Sequence, residues 1–123
     1  MQAVSKEHAP VVRKIIAGAR DLLSDEGKWI KNYLAINAAR EDVAVHAPDA
    51  CMWCALGGLC RECRAKGVDM DSEQYRDVMR HVTHHVRLYT GERDALLAMW
   101  NDCDDTKHRD VLAVFDSAIA ELS

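Results

Sequence analysis

Apolar residues recur at three- and four-residue steps over residues 10–23, and this spacing is typical of an amphipathic helix. The residues on the apolar face are Val11, Val12, Ile15, Ile16, Ala19, Leu22 and Leu23. Pro10 is acceptable in a first helical turn, because the backbone N–H that it lacks would have no partner there. We therefore predict a first helix over residues 10–23, which ends at the polar residues 24–27.

The second half of the chain carries three more apolar stripes with helical spacing. The longest stripe follows the polar residues 69–72, ends at Gly91 and consists of Tyr75, Val78, Met79, Val82, Val86 and Tyr89. A short stripe over residues 95–100 and a final one over residues 111–122 complete the chain. We expect Asp105 or Thr106 to be the N-cap of the last helix, where a side-chain oxygen accepts an orphan backbone N–H.

The middle of the chain is less regular. Trp29, Tyr33 and Ile36 predict a short second helix over residues 29–39, and residues 43–45 are the only stretch that resembles a strand. A helix that carries most of the cysteines is predicted to follow Pro48-Asp49 and to run to about residue 65.

Length and composition indicate one hydrophobic core. The chain has 123 residues, 49% of them hydrophobic, which is enough for one core and too few for two comfortable domains. We predict an all-α protein, a compact bundle of five or six short helices in a single domain over residues 1–123, with at most a minor strand near residues 43–46.

Cysteine count and charge suggest where the protein acts. Five cysteines is an odd number, and no segment has the pattern of a signal peptide, so we expect reduced thiols in the cytoplasm. No apolar run reaches the roughly 18 residues that cross a bilayer, so no membrane association is expected. The formal charge of −4 does not favour nucleic acid as a partner.

Four cysteines, Cys51, Cys54, Cys60 and Cys63, form two C-x-x-C pairs, the spacing of zinc and iron–sulfur ligands. Only five residues separate the pairs, whereas structural zinc modules usually have roughly 12 to 20 between them. In an unbroken helix, at about 100° per residue, Cys60 and Cys63 would also point away from Cys54. We predict structural, buried thiols and no metal, with a four-thiolate zinc or iron site as the alternative.

Three short segments, Gly27-Lys28-Trp29, Cys54-Ala55-Leu56-Gly57-Gly58-Leu59 and Trp100-Asn101-Asp102, resemble an uncharacterised family of small proteins found in actinobacteria and their phages. The resemblance spans nearly the whole chain and implies no activity. The residues that match the family pattern are Trp29, Cys54, Gly57, Trp100, Asn101 and Asp102. Cys51, Cys60, Cys63 and Cys103 lie outside the pattern, which weakens the four-cysteine metal hypothesis further.

The matched residues have two interpretations. In the structural one, the tryptophans anchor short helices, and Asn101 and Asp102 shape a turn by bonding to nearby backbone. In the catalytic one, Cys54, His46 and Asn101 are nucleophile, base and orienting residue, with Asp102 in the same pocket. A helix N-terminus would then lower the pKa of the Cys54 thiol. We prefer the structural interpretation.

A second candidate metal site lies on the longest helix. Asp77, His81 and His85 are four residues apart, so one ridge could present two imidazoles and a carboxylate to a divalent ion. Arg80 and Arg87 flank this ridge, and their positive charge favours a solvated polar face instead.

Three classes of function follow. We favour a small, non-catalytic helical interaction or accessory protein, phage-related and acting on a protein partner, with no cofactor. The alternatives are a metal-binding module, most simply for zinc, and a cysteine-dependent hydrolase or transferase that uses Cys54.

Overall fold

The first helix lies at the centre of the protein. The computed structural model describes residues 4–122, and α1 spans Ala9–Leu22. It packs against three other helices, α2 (Ala55–Ala65), α3 (Glu73–Thr90) and α5 (His108–Glu121). A short helix α4 (Leu97–Asp102) contacts α2 and α3. The predicted all-α fold class is therefore confirmed.

The core forms from the apolar stripes of these helices. Val12, Ile15, Ile16 and Ala19 of α1 have no exposed surface, as expected for positions that recur on one helical face. The stripes of α3 and α5 close the core from the other side, through Val78, Val82, Val86, Val111, Val114, Phe115 and Ala118. No helix among residues 4–122 has both the length and the apolar character needed to cross a membrane.

The prediction of a helix over residues 29–39 is wrong. After a 3₁₀ turn at Glu26–Lys28, the chain is extended, and β1 (Ala35–Ile36) pairs antiparallel with β2 (Met52–Trp53). Asn32 adopts a left-handed backbone with φ of 74°, which a regular helix excludes. Tyr33, expected to point inward, is 46% exposed. The backbone conformation of residues 29–39 is determined by hydrogen bonds to distant segments, which the spacing of apolar residues does not predict.

The minor strand lies elsewhere than predicted. Residues 43–46 are not in a strand, although Val43 N–H donates to Ala35 O at 3.2 Å beside an isolated bridge between Ile36 and Asp42. The cysteine helix also starts later than predicted, because residues 52–53 pair with β1. Cys54 is the N-cap of α2, and Cys51 precedes β2.

Two further helix starts differ in detail. The N-cap of α5 is Lys107, and neither Asp105 nor Thr106 has that role. The Asp110 carboxylate accepts the Lys107 N–H at 2.7 Å, and the Asp110 N–H donates to Lys107 O at 2.9 Å, so this helix begins without an N-cap side-chain bond. Helix α4 begins at Leu97, and its buried apolar residues are Leu97 and Trp100, whereas Met99 is 68% exposed.

Candidate functional site

The Asn101 side chain joins the segments that the resemblance selects. It is completely buried in α4, and its Oδ1 accepts hydrogen bonds from Trp29 Nε1 at 2.7 Å and from Ala55 N at 3.0 Å. Its Nδ2 donates to Ile30 O at 3.2 Å and to Asp102 Oδ1 at 3.0 Å. These four bonds use the two donors and two acceptor sites of an amide, so none is left for a substrate.

The neighbouring polar groups are also engaged within the fold. Asp102 Oδ1 accepts the backbone N–H of Asn32 at 2.8 Å and so fixes its left-handed turn. The Thr106 hydroxyl donates to Trp100 O at 2.6 Å. No buried side-chain nitrogen or oxygen within residues 4–122 lacks a hydrogen-bond partner. The Trp100-Asn101-Asp102 segment is therefore a structural junction, which joins other parts of the chain through hydrogen bonds.

Cys54 is buried directly beside this junction. Its Sγ accepts the Gly57 N–H at 3.2 Å, which caps the first turn of α2. Burial raises the pKa of the Cys54 thiol, and hydrogen bonds from the Gly57 and Leu56 backbone only partly oppose this effect. A thiol held in its neutral form is a poor nucleophile. The helix N-terminus is present as expected, but desolvation dominates.

The proposed catalytic residues are not all brought together. Asn101 and Asp102 lie near Cys54, whereas His46 is exposed and lines a separate cavity with Cys60 and Cys63. The four clustered cysteines are also divided, since Cys51 is exposed and Cys54 and Cys63 are buried. Within the described residues, these sulfurs do not form a group with metal-ligand spacing.

An apolar cavity of about 470 Å³ opens beside α2. We call this cavity the apolar pocket. Its wall includes Leu34, Val45, Cys60, Cys63, Val68 and Met70. Leu34 is 46% and Met70 61% exposed, so two apolar side chains of the wall are open to solvent. His46, Arg64 and Asp69 are the polar residues of the wall. Burial raises the pKa of Cys63 to about 11, which keeps this part of the wall neutral.

The histidine ridge of α3 is buried, and the prediction of a solvated polar face is wrong for its two main residues. His81 is 2% and His85 6% exposed, because they lie at the seam with α5. His81 Nε2 donates to Ala118 O at 2.9 Å, and His85 Nε2 contacts Glu121 Oε2 at 2.6 Å. The two imidazole rings are 4.8 Å apart and meet edge to face.

Asp77 does not share this seam with the histidines. Its carboxylate contacts His8 Nδ1 at 2.6 Å and Arg80 at 3.6 Å. Glu121 from α5 takes the place that the sequence assigned to Asp77. One nitrogen from each imidazole and one Glu121 oxygen all lie within 4.8 Å of one another.

Comparison with known proteins gives one result. Residues 8–121 match the model of a family of unknown function, DUF6197. The chain belongs to this family. The predicted membership of an uncharacterised family is thereby confirmed. The match includes Trp29, Cys54 and Asn101, which meet at the junction described above. No curated protein and no solved structure matches the chain.

Sequence reasoning missed Glu121 and the apolar pocket. Glu121 is far from the histidines in sequence, and only the packing of α5 on α3 brings it to them. One signal was available for the burial of the histidines in this DUF6197 chain. His81 and His85 lie three and seven residues after Val78, so they share a helical face with Val78 and Val82. The wall of the apolar pocket comes from four separate segments, so no single apolar stripe in the sequence predicts it.

Proposed function

We propose that this protein is a non-catalytic binding protein that recognises a segment of a protein partner through the apolar pocket. The observation that carries the proposal is an open apolar cavity whose wall includes the exposed side chains of Leu34 and Met70. A contiguous exposed apolar surface next to polar residues is typical of an interaction site. An accessory role in the cytoplasm, in a phage-related setting, is the finer form of this proposal, and the five free thiols suit a reducing compartment.

The charges around the pocket indicate what the partner segment contains. Arg64 forms no ion pair with any carboxylate of residues 4–122, whereas the Asp69 carboxylate accepts the Asp71 N–H at 3.1 Å in a local turn. Arg64 is therefore the cation available to a ligand. We infer a segment with a bulky apolar side chain next to an acidic residue.

A protein segment suits this surface better than a small amphiphile. Leu34 and Met70 both belong to the wall of the cavity, and 46% and 61% of their surface is open to solvent and available to a ligand. A peptide covers both the cavity and its margin, and the buried apolar area contributes about 25 cal/mol per Å² before the costs of association.

A cysteine-dependent activity has less support. The Cys54 thiol is buried with a raised pKa, His46 lines the apolar pocket, and Asn101 has all its hydrogen bonds inside the fold. A nucleophile needs a base within hydrogen-bonding reach, and the described contacts of Cys54 supply none.

The proposal is tested by selecting binders from a displayed library of random dodecapeptides. We expect enrichment of peptides with a bulky apolar residue beside Asp or Glu, and direct binding measured by calorimetry. Met70→Glu should weaken the selected peptides by at least about 10-fold, since it places a charge at the apolar margin. Met99→Glu, on an equally exposed methionine of α4, is the matched control and should leave binding unchanged.

The acidic preference has its own test. Arg64→Glu should reverse the preference from acidic to basic peptides. Arg93→Glu, at an exposed arginine that does not line the pocket, is the control and should have no effect. Absence of enriched peptides, equal losses in the control variants, or binding of a fatty acid in place of peptides would overturn the proposal.

A further inference from the structure

We propose that His81, His85 and Glu121 form a binding site for one divalent transition-metal ion such as zinc. Two imidazole nitrogens and a carboxylate are the donor set of three-ligand zinc sites, which keep a fourth position for water. Glu121 has a side chain that is 48% exposed, so solvent reaches the site from the side of this carboxylate. The site is separate from the apolar pocket and goes beyond the proposed function.

The fold already places the three ligands close together. His81 and His85 are one turn apart on α3, and Glu121 is the last residue of α5. Their ligand atoms lie within 4.8 Å of one another, whereas atoms bound to one zinc ion at about 2.1 Å are roughly 3.4 Å apart. Side-chain rotations of the three residues would have to close this difference of up to about 1.4 Å.

The hydrogen bond of His81 determines which ring nitrogen is left for a metal. A carbonyl oxygen only accepts, so the 2.9 Å contact with Ala118 O puts the proton on Nε2. In the neutral ring the lone pair is then on Nδ1. Metal-bound histidines commonly donate their other N–H to a backbone carbonyl or carboxylate, which fixes tautomer and orientation. Ala118 O provides this support.

At His85 a metal ion would replace a proton. His85 Nε2 and Glu121 Oε2 are 2.6 Å apart, a charge-assisted contact in which one proton is shared. When the ion binds both atoms, Nε2 must give up that proton, which passes to Nδ1 of the same ring or, where Nδ1 already carries one, to the solvent.

The flanking arginines do not oppose the ion as the sequence suggested. Arg80 faces the Asp77 carboxylate at 3.6 Å, and Arg87 Nε donates to Ala95 O at 3.0 Å. Glu121 supplies a negative charge beside the two imidazoles instead.

Zinc titration of protein carrying no histidine tag tests the site. We expect one equivalent to bind by calorimetry. His85→Gln and Glu121→Gln should each weaken binding by at least about 100-fold, more than the loss typical of a supporting residue. His46→Gln is the matched control, because His46 is exposed outside the seam, and it should bind as the parent does.

Two further measurements keep the test decisive. Glu121 is half exposed, so Glu121→Gln should melt like the parent without metal and separates loss of binding from loss of fold. Cobalt in place of zinc should give a spectrum without thiolate charge-transfer bands, and alkylation of the cysteines should leave binding intact. No binding, binding retained in both variants, or thiolate bands would overturn the proposal.

Discussion

Asn101 explains why three separated segments of this chain belong together. A tryptophan indole, the first residue of a helix and a loop carbonyl all bond to one buried amide. Asparagine suits this position because it offers two donors and two acceptors in one plane. At the scale of single residues, the family-like motif is thus a hydrogen-bonded junction, and Cys54 caps the helix beside it.

The chemistry of individual cysteines should follow their burial. At pH 8, iodoacetamide should label Cys51 and Cys103 rapidly and Cys54 and Cys63 at least about 100-fold more slowly, because only exposed thiolates react. The rates are measured by mass spectrometry of proteolytic peptides. In denaturant all five should react alike, which is the control. Preferential labelling of Cys54 in the folded protein would instead indicate an activated nucleophile.

At the scale of elements, the periodicity of apolar residues was sufficient to predict a helix that packs along its whole length. The stripes of α1, α3 and α5 predicted those helices, since each buries one continuous face. Residues 29–39 are held by β2 and by Asp102 instead, so their apolar spacing was misleading. The same limit applies to the sites, because Glu121 and the apolar pocket depend on packing between distant segments.

Close approach of two elements makes Gly57 essential to α2. A Cβ at this position would lie 1.9 Å from the backbone oxygen of Leu34, which cannot move without disturbing β1. Gly57→Ala should therefore lower the free energy of unfolding by about 3 kcal/mol or more. Gly58→Ala is the adjacent control and should cost much less, since the nearest atoms to its Cβ belong to side chains, Leu23 at 3.2 Å and Ala19 at 3.9 Å. Chemical denaturation measures both, and equal stabilities would contradict the prediction.

The whole molecule depends on one core shared by α1, α3 and α5. Phe115 has no exposed surface, and Phe115→Ala should cost about 3 to 5 kcal/mol of the roughly 5 to 15 kcal/mol available to a small protein. Met99→Ala, at a side chain that is 68% exposed, should change stability by less than about 0.5 kcal/mol. Thermal melting distinguishes them, and a parent-like Phe115 variant would show that the core is elsewhere.

The junction at Asn101 also has a kinetic consequence. Its hydrogen bonds to Ala55, Ile30 and Trp29 span 46, 71 and 72 residues, so much of the chain must be ordered before they can form. Contacts with such long loop closures tend to complete late in folding. Asn101→Ala should accordingly accelerate unfolding in stopped-flow experiments and leave the refolding rate nearly unchanged. A slower refolding limb would place the junction in the folding nucleus.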